Sequence, residues 1–261
     1  MTSPTPSSTS ITGHGRICVW PGGILWIGVA DGTGTVHAHH ALQLSFGDDQ
    51  PPGFRRADDV EWTRNRGCII PANLPHAIDT SGGRRFANIF VDPETAEGRA
   101  LRARTAPGAI AALNEEEAGA AADLLFGAWA ASPECARLEP AAREVVRQLA
   151  GTAPPSVVAD PRVLGAIELV RARLDGSISL TEVARDLNIS PSRLRHLFSE
   201  QVGLPFRTYV LWLRLQRVIR GVGTEKSLTH AALAAGFADA AHMTRTFRRM
   251  VGIAPTTLDW G

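Results

Sequence analysis

The sequence predicts a multidomain α+β protein with a β-rich N-terminal half, a helical connector and an all-α C-terminal domain. Short apolar segments separated by glycine- and proline-rich turns fill residues 15–92. Sequence rich in Ala, Leu and Glu with helical spacing follows over residues 93–150, and one helical unit occurs twice within residues 160–261. We expect a disordered tail at residues 1–14 and a linker at residues 151–159, which contains two adjacent prolines.

Length and composition are those of a soluble globular protein. The chain has 261 residues, of which 44% are hydrophobic and 20% charged, so it is long enough for two cores. It has no apolar run long enough to span a membrane, and its polar start does not resemble a signal peptide. The three cysteines are odd in number and widely spaced, which favours reduced thiols. We therefore expect a cytoplasmic protein with no membrane partner.

The charge is divided unevenly along the chain, although the net charge is only +1. Residues 156–261 carry 14 basic and 9 acidic side chains, whereas the preceding residues carry 13 basic and 17 acidic ones. A polyanion would therefore bind at the C-terminal half.

The N-terminal segments have the length of strands and predict a small sandwich or barrel. They cover residues 16–20, 24–30, 35–46, 67–72, 76–80 and 85–91.

In the connector, Asn114 followed by three glutamates predicts a helix start, because the helix dipole favours acidic residues there. The apolar stripe of this helix either packs on the strands or pairs two subunits as a homodimer. It consists of Leu113, Ala120, Ala121, Leu124, Leu125 and Ala128.

The C-terminal domain contains one helical unit twice. SPSRLRHLFSEQVG at residues 190–203 matches DAAHMTRTFRRMVG at residues 239–252 with an offset of 49. The helices before them, at residues 180–189 and 228–238, match with an offset of 48, so one residue has been inserted near the turn at residues 236–238. Helix, tight turn and capped helix, repeated, predict two helix-turn-helix units.

The second helix of each unit has an apolar face and a polar, mostly basic face. Leu194, Leu197, Phe198 and Val202 are expected inside the first unit, and Met243, Phe247 and Met250 inside the second. Arginine can bridge guanine O6 and N7 in a major groove. The residues expected to face DNA are Ser192, Arg193, Arg195, His196 and Ser199 in the first unit, and Ala241, His242, Thr244, Arg245, Arg248 and Arg249 in the second.

A helix predicted over residues 205–221 separates the units. It would span roughly 24 Å at about 1.5 Å per residue, which suits two reading helices about one DNA turn apart. The sequence therefore predicts two helices that enter successive major grooves of double-stranded DNA.

Residues 160–260 resemble the DNA-binding domain of the AraC/XylS family of transcription regulators. The residues that match the signature of that family are Gly236, Phe237, Phe247, Gly252 and Pro255. The resemblance implies seven helices and a regulator, not an enzyme, that responds to a small-molecule effector and contacts RNA polymerase. An activator fits this description, and the sequence leaves activator and repressor open. It places base contacts on Ser192, Arg193, Arg195, His196, Ala241, Thr244 and Arg245. The small Ala240 and Ala241 depart from the polar residues common in the family, so the second helix is expected mainly to hold phosphate.

The N-terminal half resembles a cupin barrel. The segments that carry the resemblance are GTGTVHAHHALQ at residues 32–43 and GCIIPANLPHAI at residues 67–78, which are similar to the two cupin motifs. The fold class is thus a cupin-like β-barrel and helical connector followed by the two helix-turn-helix units. His37 and His39 project to one face of a strand, and His76 could approach them from a neighbouring strand to complete a site for a divalent metal.

Gln43 stands where metal-binding cupins carry glutamate, which favours an organic effector instead. The expected ligand-binding residues are His37, His39, Gln43, His76 and Trp26. Trp20 and Trp62 are further stacking candidates, and Cys68 is a soft metal ligand, a redox sensor or buried filler. The alternative function is a metal-dependent cupin enzyme fused to a DNA-binding domain.

Overall fold

The computed structural model describes residues 11–151, 160–221, 227–251, 255 and 258–259. Most of the predicted tail and nearly all of the predicted linker lie outside these residues. None of the helices within the described ranges is long and apolar enough to cross a membrane.

The described residues form ten strands, numbered in chain order. They are β1 Thr12–Trp20, β2 Gly23–Asp31, β3 Leu42–Gly47, β4 Gly53–Arg56, β5 Thr63–Arg64, β6 Gly67–Ile70, β7 His76–Asp79, β8 Arg84–Val91, β9 Ala111–Ala112 and β10 Leu258–Asp259.

Nine helices complete the described elements. They are α1 Ala96–Arg102, α2 Glu115–Ala131, α3 Cys135–Ala150, α4 Pro161–Ala172, α5 Leu180–Asp186, α6 Pro191–Val202, α7 Phe206–Gly221, α8 Leu228–Ala234 and α9 Ala240–Val251.

The strands form two sheets rather than one closed barrel. The large sheet has the order β10-β1-β2-β8-β3-β6-β9, and the small one has the order β5-β4-β7. The expected β-rich N-terminal domain is confirmed, but among the described strands no closed barrel is found. Both edges of β3 are paired, with β6 and with β8, so β4 pairs with β5 and β7 in the small sheet instead.

The large sheet is covered on both faces. Alternate side chains of β2 face opposite ways: Leu25 and Ile27 pack with α2 and α3, whereas Trp26 packs with Phe54 of the small sheet. The predicted stripe of α2 is used in this packing, since its Ala121 and Leu125 are buried and Leu113, Leu124 and Ala128 are partly buried against the same core, while Ala120 is exposed. Of the two roles expected for the stripe, the structure therefore supports packing on the sheet.

The helical domain is held to the large sheet by α7 through a buried carboxylate. Asp92, which follows β8, accepts hydrogen bonds from Trp212 Nε1 (3.0 Å) and Gln216 Nε2 (2.8 Å), and Arg171 of α4 lies 3.3 Å from its other oxygen. Nearby, Glu94 accepts from Tyr209 Oη of α7 at 2.7 Å. A buried carboxylate is tolerated only with such partners, so the contact fixes the position of α7.

Two cysteines pair, which corrects the expectation of three reduced thiols. Cys18 of β1 and Cys135 at the start of α3 form a disulfide with Cα atoms 5.4 Å apart. They are 117 residues apart in sequence, and only the packing of α3 on the sheet brings them together. Cys68 is free and buried.

Candidate DNA-binding surface and effector pocket

The two predicted helix-turn-helix units have the same turn. The C-cap residue of each first helix is followed by a residue with positive φ, Asn188 (55°) in the first unit and Gly236 (84°) in the second, which are one repeat of 48 residues apart. The next residue then donates its N–H to a carbonyl five residues earlier, from Ile189 to Ala184 and from Phe237 to Ala232, both at 3.0 Å. This left-handed closure ends the first helix and turns the chain toward the second.

The second helix of each unit begins with the same cap. Ser190 accepts a hydrogen bond from the N–H of Arg193, and Asp239 accepts one from the N–H of His242. The offset is 48 up to Phe237 and 49 from Asp239, so the structure localises the inserted residue to Ala238, which is exposed. An exposed turn residue accommodates an insertion at little cost.

The predicted inner and outer faces of α6 and α9 are confirmed by burial. The apolar residues expected inside are buried, and Ser192, Arg193, Arg195, His196, Ala241, Arg245 and Arg248 are exposed. His242 and Thr244 are half-buried, and the His242 ring packs edge-on against Phe237 at 5.3 Å. His242 therefore supports the turn, while the arginines are free to reach a duplex.

The helix predicted between the units is α7, and it contacts both of them. It packs against α6 of the first unit and against α8 and α9 of the second. Of the signature positions, Phe237, Phe247 and Pro255 are buried, while Gly252 lies outside the described residues.

A pocket with a volume of about 100 Å³ lies between the large sheet and the helical domain. By that measure one water needs about 10–15 Å³, so the pocket has room for a small organic group. The large sheet contributes Trp26, Gln43 and Asn88 to its lining, and the segment before β3 contributes His37 and His39. Helices α7 and α9 contribute Trp212, Ile219, Phe247, Met250 and Val251. The predicted ligand-binding residues are thus brought together, except that His76 lies behind the lining.

His76 packs on the other two predicted histidines. Its ring centroid is 4.4 Å from that of His37 and 5.2 Å from that of His39. Burial lowers the pKa of all three rings, to about 4 for His39, and the His37 ring lowers the pKa of His39 and His76 further. The three imidazoles are therefore neutral near pH 7.

Sequence reasoning missed part of the pocket and included residues outside it. Trp20 packs on the α2–α3 side of the sheet, Trp62 stacks on Arg55, and Cys68 is buried in the core between the sheets, so none lines the pocket. Asn88 was missed, although polar residues alternating along otherwise apolar strands are a signal for it. Its Oδ1 accepts hydrogen bonds from Gln43 Nε2 at 3.0 Å and from Ser45 Oγ at 2.7 Å. The side of the pocket formed by α7 and α9 was also missed, because no local sequence pattern indicates that these helices face the sheet.

Comparison with known proteins agrees with the C-terminal geometry. Residues 183–259 match a family model described as a helix-turn-helix domain. The transcriptional activator RhrA of Rhizobium meliloti is 36% identical over 87 residues, which are 32% of this chain and 27% of RhrA. The HTH-type transcriptional regulator ArgR of Pseudomonas aeruginosa is 26% identical over 96 residues, which are 36% of this chain and 29% of ArgR. The matches thus span less than a third of either relative.

A solved structure matches the whole architecture. ToxT from Vibrio cholerae O395 superposes with a TM-score of 0.55 over 95% of both chains at 12% identity. At that identity the likeness concerns the fold, and it covers both the β-rich and the helical domain. A further ToxT structure is described as bound to an unsaturated fatty acid.

Replacement of Gly236 by alanine tests the left-handed turn. The new Cβ would adopt a conformation that costs roughly 1–2 kcal/mol, and it would lie 3.0 Å from the Arg214 side chain, so Gly236→Ala should lower the free energy of unfolding. Gly127→Ala is the matched control: Gly127 is an exposed residue of α2 with no heavy atom within 4 Å of the added Cβ, so the same change should add roughly 0.5–1 kcal/mol. Urea unfolding measures both, and a Gly236→Ala protein as stable as the wild type would contradict the assigned turn.

Proposed function

We propose that this chain is a sequence-specific transcription regulator of the AraC type, controlled by a small molecule in its interdomain pocket. The proposal is supported by the match of residues 183–259 to a helix-turn-helix family model. The observation that carries the proposal is the duplicated unit, in which turn, cap and exposed basic face all recur one repeat apart. A solvated helix with outward arginines is common, but two copies that share the same hydrogen bonds are expected where two helices read one duplex.

The two reading helices differ in what they offer to DNA. The exposed face of α6 carries Arg193, Arg195 and His196, which can donate to guanine or to phosphate. The start of α9 carries Ala240 and Ala241, whereas Arg245 and Arg248 lie one and two turns further on. We assign most of the base discrimination to α6, and to α9 chiefly phosphate contacts with apolar contact to thymine methyl groups.

The pocket favours an effector with an apolar body and one hydrogen-bond acceptor. Its lining is mostly Ile, Phe, Trp and Met side chains. Trp26 belongs to the lining, and its Nε1–H is buried without a hydrogen-bond partner among the residues that the structure describes. Burying a donor unpaired is costly, and an effector carboxylate would satisfy it. The fatty acid bound by ToxT has this chemistry.

The effector would act on DNA binding through α9. Phe247 and Met250 line the pocket from the inner face of this helix, whose outer face carries Arg245 and Arg248. A ligand that binds one arrangement of the two domains more tightly shifts the population toward that arrangement. The linkage is reciprocal, so operator DNA would change effector affinity by the same factor.

The matched relatives are described as a transcriptional activator and a transcriptional regulator, which supports a regulator and gives the enzyme alternative no support. An activator role, contact with RNA polymerase and a homodimer stay predictions. The apolar stripe of α2 no longer supports the homodimer, because its central residues pack on the sheet. A cytoplasmic location follows from DNA as the target and stays a prediction as well, since the Cys18–Cys135 disulfide removes its original basis in reduced thiols.

Replacement of Arg195 by alanine tests base reading. A bidentate arginine–guanine contact is worth about 1–3 kcal/mol of discrimination, so Arg195→Ala should weaken binding to a selected operator by roughly 5- to 150-fold and binding to random DNA far less. Arg137→Ala, on the exposed surface of α3, is the control and should leave both affinities unchanged. Fluorescence anisotropy at one salt concentration measures both, and equal losses on the two DNAs would refute base reading by Arg195.

Filling the pocket tests the effector site. Ala30 lines the pocket, so Ala30→Leu should occupy its volume, whereas Ala30→Ser leaves it open. Butanoate and hexanoate should raise the melting temperature of the wild type and of Ala30→Ser, but not that of Ala30→Leu. A rise of the same size in Ala30→Leu would place the ligand elsewhere. The absence of any rise in the wild type would rule out this class of carboxylate.

A further inference from the structure

We propose that His37, His39 and His76 bind one divalent first-row transition-metal ion through their Nε2 atoms, with Gln43 Oε1 beside them as an oxygen ligand. Neither the helix-turn-helix match nor the likeness to ToxT assigns this site. It rests on the backbone that brings the three rings together, on their tautomers and on an unpaired buried nitrogen.

The backbone places two of the histidines opposite each other. His37 and His76 exchange both backbone N–H···O hydrogen bonds, each at 2.9 Å, in an isolated antiparallel bridge between the segment before β3 and the start of β7. His39 lies two residues after His37, and its carbonyl accepts from the N–H of Asn73 at 2.8 Å. Residues two apart in an extended segment project to one face, so all three rings meet on the same side.

The hydrogen bonds of the rings leave each Nε2 as the atom with the lone pair. The Nδ1 atoms of His37, His39 and His76 lie 2.9, 2.9 and 2.8 Å from the carbonyl oxygens of Thr35, Ala41 and Leu74, in that order. A carbonyl only accepts, so each Nδ1 carries the proton and donates it. Histidines that ligate metals through Nε2 are oriented in this way, because the second nitrogen is held by a backbone or carboxylate acceptor.

The spacing of the three ligand atoms suits one ion. One ring nitrogen of each histidine lies within 4.8 Å of the corresponding nitrogens of the other two, so a central point is at most about 2.8 Å from each, compared with about 2.0–2.1 Å for a zinc–imidazole bond. Small ring movements close that difference. Three neutral imidazoles are ligands that Zn²⁺, Ni²⁺, Cu²⁺ and Fe²⁺ accept, whereas Ca²⁺ and Mg²⁺ require oxygen ligands.

One polar atom of the cluster lacks a hydrogen-bond partner in the described structure, and one short contact in the cluster joins two acceptors. His76 is fully buried and its Nε2 has no hydrogen-bond partner within the described structure. His39 Nε2 lies 2.7 Å from Gln43 Oε1, although both are acceptors once His39 Nδ1 donates to Ala41. A cation between them turns that contact into an attractive one. Rotation of the Gln43 amide by 180° would break the hydrogen bonds that its Nε2 donates to Ser45 Oγ and Asn88 Oδ1, and it would leave His76 Nε2 without a partner in the described structure.

A metal ion at this site would also contribute to binding of the effector. His37, His39 and Gln43 line the interdomain pocket, so an ion held by them lies at the polar end of that pocket. The cluster contains no carboxylate, so the positive charge of the ion remains available to an anionic ligand. This link to the effector rests on the proposed function, whereas metal binding itself does not.

Titration of the full chain with Co²⁺ tests the site. After treatment with a chelator and its removal, one Co²⁺ should bind per chain with visible absorption bands of nitrogen ligation. His39→Ala and His76→Ala should each weaken binding by more than about 100-fold, since loss of a second-shell partner alone costs 10- to 100-fold. His14→Ala is the control: His14 is exposed on β1 outside the cluster and should bind like the wild type. Zn²⁺ should raise the melting temperature of the wild type and of His14→Ala only.

Absence of stoichiometric Co²⁺ binding by the wild type would overturn the proposal without recourse to any variant. Unchanged binding by His76→Ala would overturn it too, because the ion would then lie elsewhere. Circular dichroism identifies a variant that fails to fold, and the wild-type titration then decides. These measurements contain no DNA, so failure of the metal site and failure of the proposed DNA-binding function are separate results.

Discussion

The hydrogen bonds between Asp92 and α7 are the interaction on which the rest of the arrangement depends. The carboxylate is buried where the sheet meets the helical domain, and Trp212 and Gln216 of α7 both donate to it. The same helix contacts α6 on one side and α8 and α9 on the other, so it also sets the distance between the two reading helices. Because Trp212 and Ile219 line the pocket, one rigid element connects the sheet, the ligand site and both helix-turn-helix units.

This connection gives a physical route from a bound molecule to DNA. A ligand in the pocket would touch the sheet, α7 and the inner face of α9 at once, so the domains cannot change their arrangement without changing its contacts. The polar cluster around Gln43, Ser45 and Asn88 lies at the sheet end of the pocket, and the apolar wall comes from the DNA-binding domain. The polar part of an effector would thus contact the β-rich domain, and its apolar part would contact the helical domain.

The features that could be predicted from the sequence are those determined by residues close to one another along the chain. Helix caps, apolar spacing and a turn residue act within one or two helical turns, so the duplicated unit was recognised before the fold was known, down to the residues exposed on α6. His37 and His39 project to the same side because side chains two residues apart in an extended segment do so. The Cys18–Cys135 disulfide and the pocket wall from α9 depend on contacts between residues more than 100 positions apart, and the separate small sheet depends on β6 and β8 occupying both edges of β3. No local pattern encodes such contacts.

If α7 holds the two reading helices at one fixed separation, the DNA sites that the full chain selects from random sequence must carry that separation. We expect two preferred blocks of bases whose centres are separated by one constant distance of about 10–10.5 base pairs, because each helix enters one of two successive major grooves. A single block, or two blocks whose spacing varies among the selected sites, would contradict it.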